Sequence, residues 1–349
     1  MLWYYAVKAY LKTTLYFYFK KIVVVGKDNI PQKEAVLFVS NHQNALLDPL
    51  VIAVSNKRYC YYLTRASVFK NPIVKRLLQS VNMLPIYRIR DGWQSLDKNK
   101  VVFKSCFRIL NRKKSLLIFP EGNHSINRRV RPLSKGFTKI LYGALAENPQ
   151  LKIYIVPVGL NYSEHTQYPQ SVAVYYGKAF LTNPFFDKDN KPQSALKLTQ
   201  KVYEELQLLT THIDDLTLHN TKVAQLKALE TDFLNPIKTN KLLQKISEKQ
   251  IENPKTKTPY LFFRIVYVLV LLFSWLPYLI WRYIKPKISD KVFTGTYRYA
   301  VAAVLIPLFC LVQSYLIYLY VGFTESLLFM AFCITLFLFL KWLPQHRQQ

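Results

Sequence analysis

The chain is poor in glycine, cysteine and acid. Nine glycines in 349 residues exclude a collagen-like or glycine-rich chain. Four cysteines, Cys60, Cys106, Cys310 and Cys333, stand far apart. They show neither the spacing of a disulfide framework nor that of a zinc site, and a reducing compartment fits. Only 20 Asp and Glu face 48 Lys and Arg, a formal net charge of +28. Such a surplus suits two partners, nucleic acid or an anionic membrane surface. A disordered basic tail is excluded, because 51% of the residues are hydrophobic and 15% aromatic. The chain shows no repeat at a fixed period and no low-complexity tract.

The placement of the apolar residues separates the two partners. Residues 265–281, 299–324 and 326–340 carry no charge. A spanning helix needs about 20 apolar residues. The middle run meets that length. The first is at its lower limit and contains Pro277, and the third is short but extends through Trp342 and Leu343. Three such runs so close together would overfill a soluble core, so 259–349 is expected to hold C-terminal membrane segments. A nucleic-acid binder would instead cluster its basic residues on a groove-fitting element. The loop 284–298 holds Lys285, Lys287, Lys291 and Arg298 against Asp290 alone, which the positive-inside rule places in the cytoplasm. With the preceding residues also cytoplasmic, 265–281 cannot cross once. It reads as re-entrant, bent at Pro277, beside a hairpin of 299–321 and 326–343. Residues 1–21 place Trp3, Val7, Tyr10, Leu11, Thr14 and Leu15 at helical spacing, with Lys8 and Lys12 on the other face. This is the pattern of an interfacial amphipathic helix. The long apolar core and small-residue cleavage site of a signal peptide are missing.

Between residues 22 and 190 strand-like and helix-like runs alternate. Strands are expected at Val36–Ser40, Tyr59–Leu63, Met83–Tyr87, Leu116–Phe119, Ile153–Val158 and Val172–Tyr176, and helices near 49–55, 67–80, 93–111 and 135–147. The alternation predicts an α/β sheet flanked by helices. Residues 191–258 are polar with helical spacing and read as two or three surface helices, with Asn253-Pro254-Lys255 as the linker. Ligands in α/β sheets sit beyond the carboxyl ends of the strands, so the residues that follow each strand come first.

The first strand is followed by Asn41, His42 and then Asp48-Pro49. Asp48 and Pro49 suit a helix start, as cap and first helical residue. Alternatively, Asp48 pairs with His42. A neutral imidazole takes a proton near neutral pH, and a carboxylate on its other nitrogen fixes the tautomer. A later strand ends in Phe119-Pro120-Glu121-Gly122, a tight loop carrying an acid. The strand at 83–87 ends at Arg88, with Arg90 on the same parity. Guanidinium groups there suit a phosphate, or a solvated edge.

In combination these fragments resemble the glycerol-3-phosphate and 1-acylglycerol-3-phosphate (lysophosphatidate) acyltransferase superfamily. Its four blocks stand in order: Asn41, His42 and Asp48; Leu84-Pro85-Ile86-Tyr87-Arg88; Phe119-Pro120-Glu121-Gly122; and Ile155-Val156-Pro157-Val158-Gly159. The likeness extends over roughly 22–185. Five residues separate His42 from Asp48, where the commonest form has four. Five is found in a branch that includes fungal enzymes acylating glycerol-3-phosphate or dihydroxyacetone phosphate. The third block continues Asn123-His124-Ser125, where the family usually has Thr-Arg-Ser. His124, Arg128, Arg129, Arg131 and Lys135 are the candidates to replace that arginine.

The resemblance implies transfer of a fatty acyl group from a thioester, acyl-CoA or acyl carrier protein, to a hydroxyl of a phosphate-bearing glycerol acceptor. His42 would be the general base and Asp48 its orienting partner. Arg88 would hold the phosphate, Glu121 and Gly122 would shape the acceptor pocket, and Asn41 belongs to the first block. Pro157 would lie beside the donor. The basic loop through Lys135 would meet coenzyme A phosphates or anionic lipid. No metal and no cofactor beyond the donor is implied, and no nucleic acid. The expected location is a bacterial inner membrane with the catalytic domain cytoplasmic. Two rivals remain open: a non-catalytic lipid-binding scaffold, and transfer to another acceptor such as dihydroxyacetone phosphate or an amino-acid lipid.

Overall fold

The computed structural model describes residues 2–88, 97–246 and 261–341, the side chains of 261–264 excepted. Helix α1 (Leu2–Tyr18) runs directly into strand β1 (Phe19–Val25). There follow β2 (Ala35–Ser40), α2 (Leu47–Ser55), β3 (Cys60–Arg65), α3 (Pro72–Ser80), β4 (Met83–Ile86), α4 (Asn99–Asn111), β5 (Ser115–Ile118), α5 (Gly136–Glu147), β6 (Ile153–Tyr162), β7 (Gln170–Tyr176) and β8 (Phe180–Leu181). Helices α6 (Lys191–Leu209), α7 (His219–Ala228) and α8 (Pro236–Leu243) precede the C-terminal helices. These are α9 (Leu261–Phe273), α10 (Trp275–Ile284), α11 (Phe293–Tyr320) and α12 (Phe323–Leu340).

The strands form one mixed sheet in the order β1-β7-β6-β2-β5-β3-β4, with β8 also on β6. From β6 to β4 all pairs are parallel, while β7 runs antiparallel to β6. Helices cover both faces, so the central strands are apolar on both. All six residues of β2 are buried. Leu37 and Val39 pack toward α4, α5 and α6, and Val36 and Phe38 toward α1 and α2. Pro157 sits in the middle of β6, where a missing N–H is normally costly. Its carbonyl accepts Gly177 N–H at 2.9 Å, on the side where β8 pairing stops at Ile155 and β7 pairing starts at Val158. The proline nitrogen faces that gap, and no ladder bond is lost.

Several expectations change. The first helix stops at Tyr18, because Phe19–Val25 pairs with β7 despite Lys20 and Lys21, so the boundary at 21 falls inside a strand. Lys8 does not lie on an outer face: its ammonium donates to Asn56 O at 2.7 Å, and burial lowers its pKa. Instead α1 turns Leu2, Trp3, Tyr5, Tyr10 and Tyr16 outward. Helix α6 is not a surface helix, since Ala195, Leu198, Val202 and Leu206 enter the main core. Strand β4 ends at Ile86, two residues before Arg88. Arg90, the linker at 253–255, and Trp342 and Leu343 lie outside the described residues.

Two C-terminal helices, α11 and α12, are long and apolar enough to cross a membrane. Helices α9 and α10 meet at 90°. The break falls at Ser274, three residues before Pro277. Proline clashes with the carbonyl four residues back, here Phe273, which ends α9. Val266 and Val270 of α9 pack on Leu336 and Leu340 of α12.

Candidate active site

The parallel strands β2, β5, β3, β4 and β6 deliver their carboxyl ends to one edge of the sheet. His42 follows β2, Glu121 and Gly122 follow β5, Arg88 follows β4, and Tyr162 closes β6. Short loops after neighbouring strands suffice to bring these residues to one edge.

Asp48 is the hub. It is fully buried, and its Oδ2 accepts the backbone N–H groups of Gln43 (2.7 Å) and Asn44 (2.8 Å) and lies 2.8 Å from His42 Nδ1. Its Oδ1 accepts the Tyr162 hydroxyl at 2.6 Å. Asp48 therefore does not cap α2. The helix begins one residue earlier, and Asn44 Oδ1 accepts Leu47 N–H at 3.3 Å in that role. A carboxylate with these donors receives the Nδ1 proton of His42, which leaves the Nε2 lone pair free. Nε2 makes no hydrogen bond among the described residues, and the His42 side chain is 14% exposed. Its ring stacks on Phe119 at 4.1 Å and 18°. Ser125 N–H donates to His42 O at 3.1 Å, tying the two loops together.

The second loop turns at Gly122, whose φ of 72° favours glycine. Arg88 Nη1 donates to Gly122 O at 2.9 Å. Glu121 is bound by Arg131: Oε2 accepts its Nε (2.9 Å) and Nη2 (2.5 Å), and Oε1 accepts its backbone N–H (3.2 Å). Arg131 also donates to the side chain and carbonyl of Asn123. Burial raises the Glu121 pKa, and the Arg131 charge opposes that shift only in part. A cavity of about 400 Å³ opens beside this pair, lined by Glu121, Asn123, Asn127, Arg129, Arg131 and Leu216. Arg129 lies 3.6 Å from Asp214, and its buried Nε has no hydrogen-bond partner among the described residues.

Among the candidates for the missing arginine, Arg131 is the one folded onto the loop. Arg128 is committed elsewhere. It donates to Tyr162 O (2.8 Å) and Ser163 O (2.9 Å), lies over the Phe233 ring, and burial lowers its pKa to about 10. His124 meets the His42 ring edge-on at 5.6 Å, and burial, then the nearby His42, lowers its pKa. Lys135 is exposed at the start of α5. Asn41 lies beneath the site: its amide donates to Leu160 O (3.1 Å) and accepts Leu160 N–H (2.8 Å), which pins the loop to β6. Pro157 is likewise buried in β6, away from the loop tips.

Residues 21–161 match the family model described as Acyltransferase. This segment is an acyltransferase-family domain. Over 120 residues it is 28% identical to glycerol-3-phosphate O-acyltransferase 2 of Saccharomyces cerevisiae, covering 34% of this chain and 16% of the yeast protein. It is 26% identical over 133 residues to a 1-acyl-sn-glycerol-3-phosphate acyltransferase of Borreliella burgdorferi, covering 38% of this chain and 51% of that one. The chain thus spans about half or less of the length of these relatives. A crystal structure of the 1-acyl-sn-glycerophosphate acyltransferase PlsC from Thermotoga maritima aligns with a TM-score of 0.42 at 17% identity, over 58% of this chain and 79% of that one.

The acyltransferase domain owes part of its site to residues outside the four blocks. The strand expected to end at Val158 runs on to Tyr162, and only with that extension do Val156, Val158, Leu160 and Tyr162 alternate onto the α2 face. Arg131 had only its presence in a basic loop as a signal.

Four histidines of the site and its surroundings, His124, His165, His212 and His219, have pKa values lowered chiefly by burial. Burial disfavours the charged form of each in the folded chain, whereas the unfolded chain protonates them near the ordinary 6.5. Below that pH the unfolded state binds more protons, so stability falls as pH falls. The unfolding temperature in detergent is expected to drop between about pH 7 and pH 5. His165→Gln should flatten that drop, and a drop of the same size in the variant would contradict the assignment.

Proposed function

We propose that the chain is a membrane-bound O-acyltransferase. It moves a fatty acyl group from acyl-CoA or an acyl carrier protein to a hydroxyl of glycerol-3-phosphate or 1-acylglycerol-3-phosphate. The observation that carries this reading is the buried Asp48 holding His42, whose Nε2 makes no hydrogen bond among the described residues, at the same sheet edge as the Glu121 loop and its arginine-lined cavity. His42 Nε2 takes the acceptor's hydroxyl proton as the oxygen attacks the thioester carbonyl. The tetrahedral adduct then expels the thiolate, which takes the proton back from the imidazolium and leaves as thiol. Asp48 steadies the imidazolium between the two steps. No covalent acyl-enzyme is required. Arg88, Arg129 and Arg131 supply the charge for the acceptor phosphate, with Glu121 holding Arg131 in place. Exposed Lys135 suits the donor's phosphates. Asn41 and Pro157 support the site from β2 and β6 rather than touch substrate.

Incubating the purified full chain with labelled acyl donor and each acceptor in turn tests the proposal. Labelled lysophosphatidate or phosphatidate is expected, and whichever forms names the acceptor. No labelled product from either acceptor with either donor would overturn it.

The same reading places the chain in a membrane, by α11 and α12 as a hairpin. The exposed aromatics of α1 and the exposed Ile73 and Leu77 of α3, next to Lys75 and Arg76, suit an anionic lipid surface. The start of α11 packs on the catalytic domain, so the basic residues Lys285, Lys287 and Lys291 lie on that domain's side of the membrane. The bent pair α9–α10 is then re-entrant, and by the positive-inside rule this side is cytoplasmic. A cysteine placed at Lys287 in a cysteine-free chain should react with an impermeant thiol reagent from the cytoplasmic face only. Labelling from the outer face would reverse this topology.

A further inference from the structure

The family match ends at residue 161, and α11 begins at Phe293, yet the first turns of α11 lie against the loop that carries His42. Thr296 Oγ1 accepts Leu46 N–H at 3.1 Å and donates to Asn44 Oδ1 at 3.0 Å. Asn44 in turn gives its backbone N–H to Asp48 Oδ2 at 2.8 Å, and Asp48 holds His42. The approach is close. A Cβ on Gly295 would stand 2.6 Å from Asn44 Nδ2 and 3.3 Å from Leu47 Cδ1. The helix is held at this distance from its other side. Arg298 donates through Nε to Tyr18 Oη (3.0 Å), through Nη1 to Thr166 O (2.8 Å) and through Nη2 to Gln167 O (2.9 Å). The Tyr18 hydroxyl donates to Gly295 O at 3.2 Å. One turn earlier, the Phe293 ring meets His124 edge-on at 4.8 Å.

We infer that Thr296 is a positioning residue for the His42–Asp48 pair, supplied by a helix whose remaining length is apolar enough to cross the bilayer. The inference rests on the transferase reading above. Its physical content is a relay of three hydrogen-bonded groups. The Thr296 hydroxyl fixes the Asn44 side chain and the Leu46 N–H, these fix the turn from 43 to 47, and that turn's N–H groups fix the carboxylate that orients the base. Arg298 clamps the helix so that the hydroxyl arrives in register. A consequence is that the site is complete only when the C-terminal membrane segment is docked, which couples turnover to seating of the chain in its membrane.

Removing the hydroxyl leaves Leu46 N–H without its acceptor and Asn44 Oδ1 with one donor fewer. A small displacement of a catalytic group is enough to cost up to about 10²-fold in rate. Thr296→Val keeps the shape and deletes the hydroxyl. In the full-length chain it is expected to lower kcat by roughly 10-fold, with KM for donor and acceptor changed by less than about threefold. Thr296→Ser should restore most of kcat. Thr296→Ala, which favours the helix, covers the case in which the valine variant is poorly folded. Because Thr296 acts through Asn44, adding Thr296→Val to Asn44→Ala should lower kcat little further than Asn44→Ala alone. Wild-type kcat in both hydroxyl-free variants, or full additivity with Asn44→Ala, would overturn the inference while leaving an active wild-type chain as a transferase. A wild-type chain silent with every acceptor would overturn the transferase reading, and this inference with it.

Discussion

His42→Ala is expected to lower kcat by about 10²–10⁴-fold, the usual worth of a positioned general base. In the proposed reaction the base is prepared by its neighbours. Phe119 stacks under the ring, Asp48 holds Nδ1, and Nε2 is left open at a partly exposed edge. Alanine removes the proton acceptor and leaves the rest of the network closed. Asp48 keeps two backbone donors and the Tyr162 hydroxyl. The fold should therefore survive, and the loss should fall on kcat more than on KM. Turnover at fixed protein concentration, beside an unfolding curve in the same detergent, measures both. A variant that unfolds like wild type and still turns over like wild type would remove His42 from the mechanism.

Asp48→Asn should cost about as much, near 10³-fold in kcat, for a different reason. The carboxylate is an acceptor on every side, and an amide is not. With its oxygen kept toward the Gln43 and Asn44 N–H groups, the amide's N–H₂ would face Tyr162, whose hydroxyl could accept but would lose the acceptor for its own proton. With the amide turned over, its N–H₂ would confront those two N–H groups and favour the wrong tautomer of His42. Either way one buried polar contact is mismatched, at about 1–3 kcal/mol each. The expected result is a loss in kcat joined to a lower unfolding temperature, a combination that His42→Ala should not show. Activity near wild type would mean that the carboxylate neither orients nor charges the base.

What could be read from sequence follows the distance along the chain between partners. His42 and Asp48 lie on one loop, and Glu121 and Gly122 on another. Each follows an apolar strand, so strand ends alone brought them to one edge. Helix starts were less legible. Asp48-Pro49 has the composition of a cap, but the side chain turns inward because Gln43 and Asn44 present N–H groups to it, which only loop geometry decides. Strand β1 was hidden by Lys20 and Lys21, since an edge strand can be as polar as the tail of a helix. The choice of Arg131 among five basic candidates depended on which one the turn after Gly122 folds back. Thr296 was beyond reach, because it meets Leu46 across 250 residues of sequence. It stands in the basic stretch 284–298, just before the apolar run, and nothing in that stretch singles it out.

The central claim is direct transfer with His42 as the base. It is tested most directly by mixing a labelled acyl thioester and the glycerol-phosphate acceptor with wild-type and His42→Ala chains. Quenched samples are then resolved for label in lipid and label on protein. The account predicts labelled lipid from the wild-type chain, little from His42→Ala, and none bound covalently to either. Labelled lipid formed equally by both chains, or protein-bound label that chases into lipid, would contradict it.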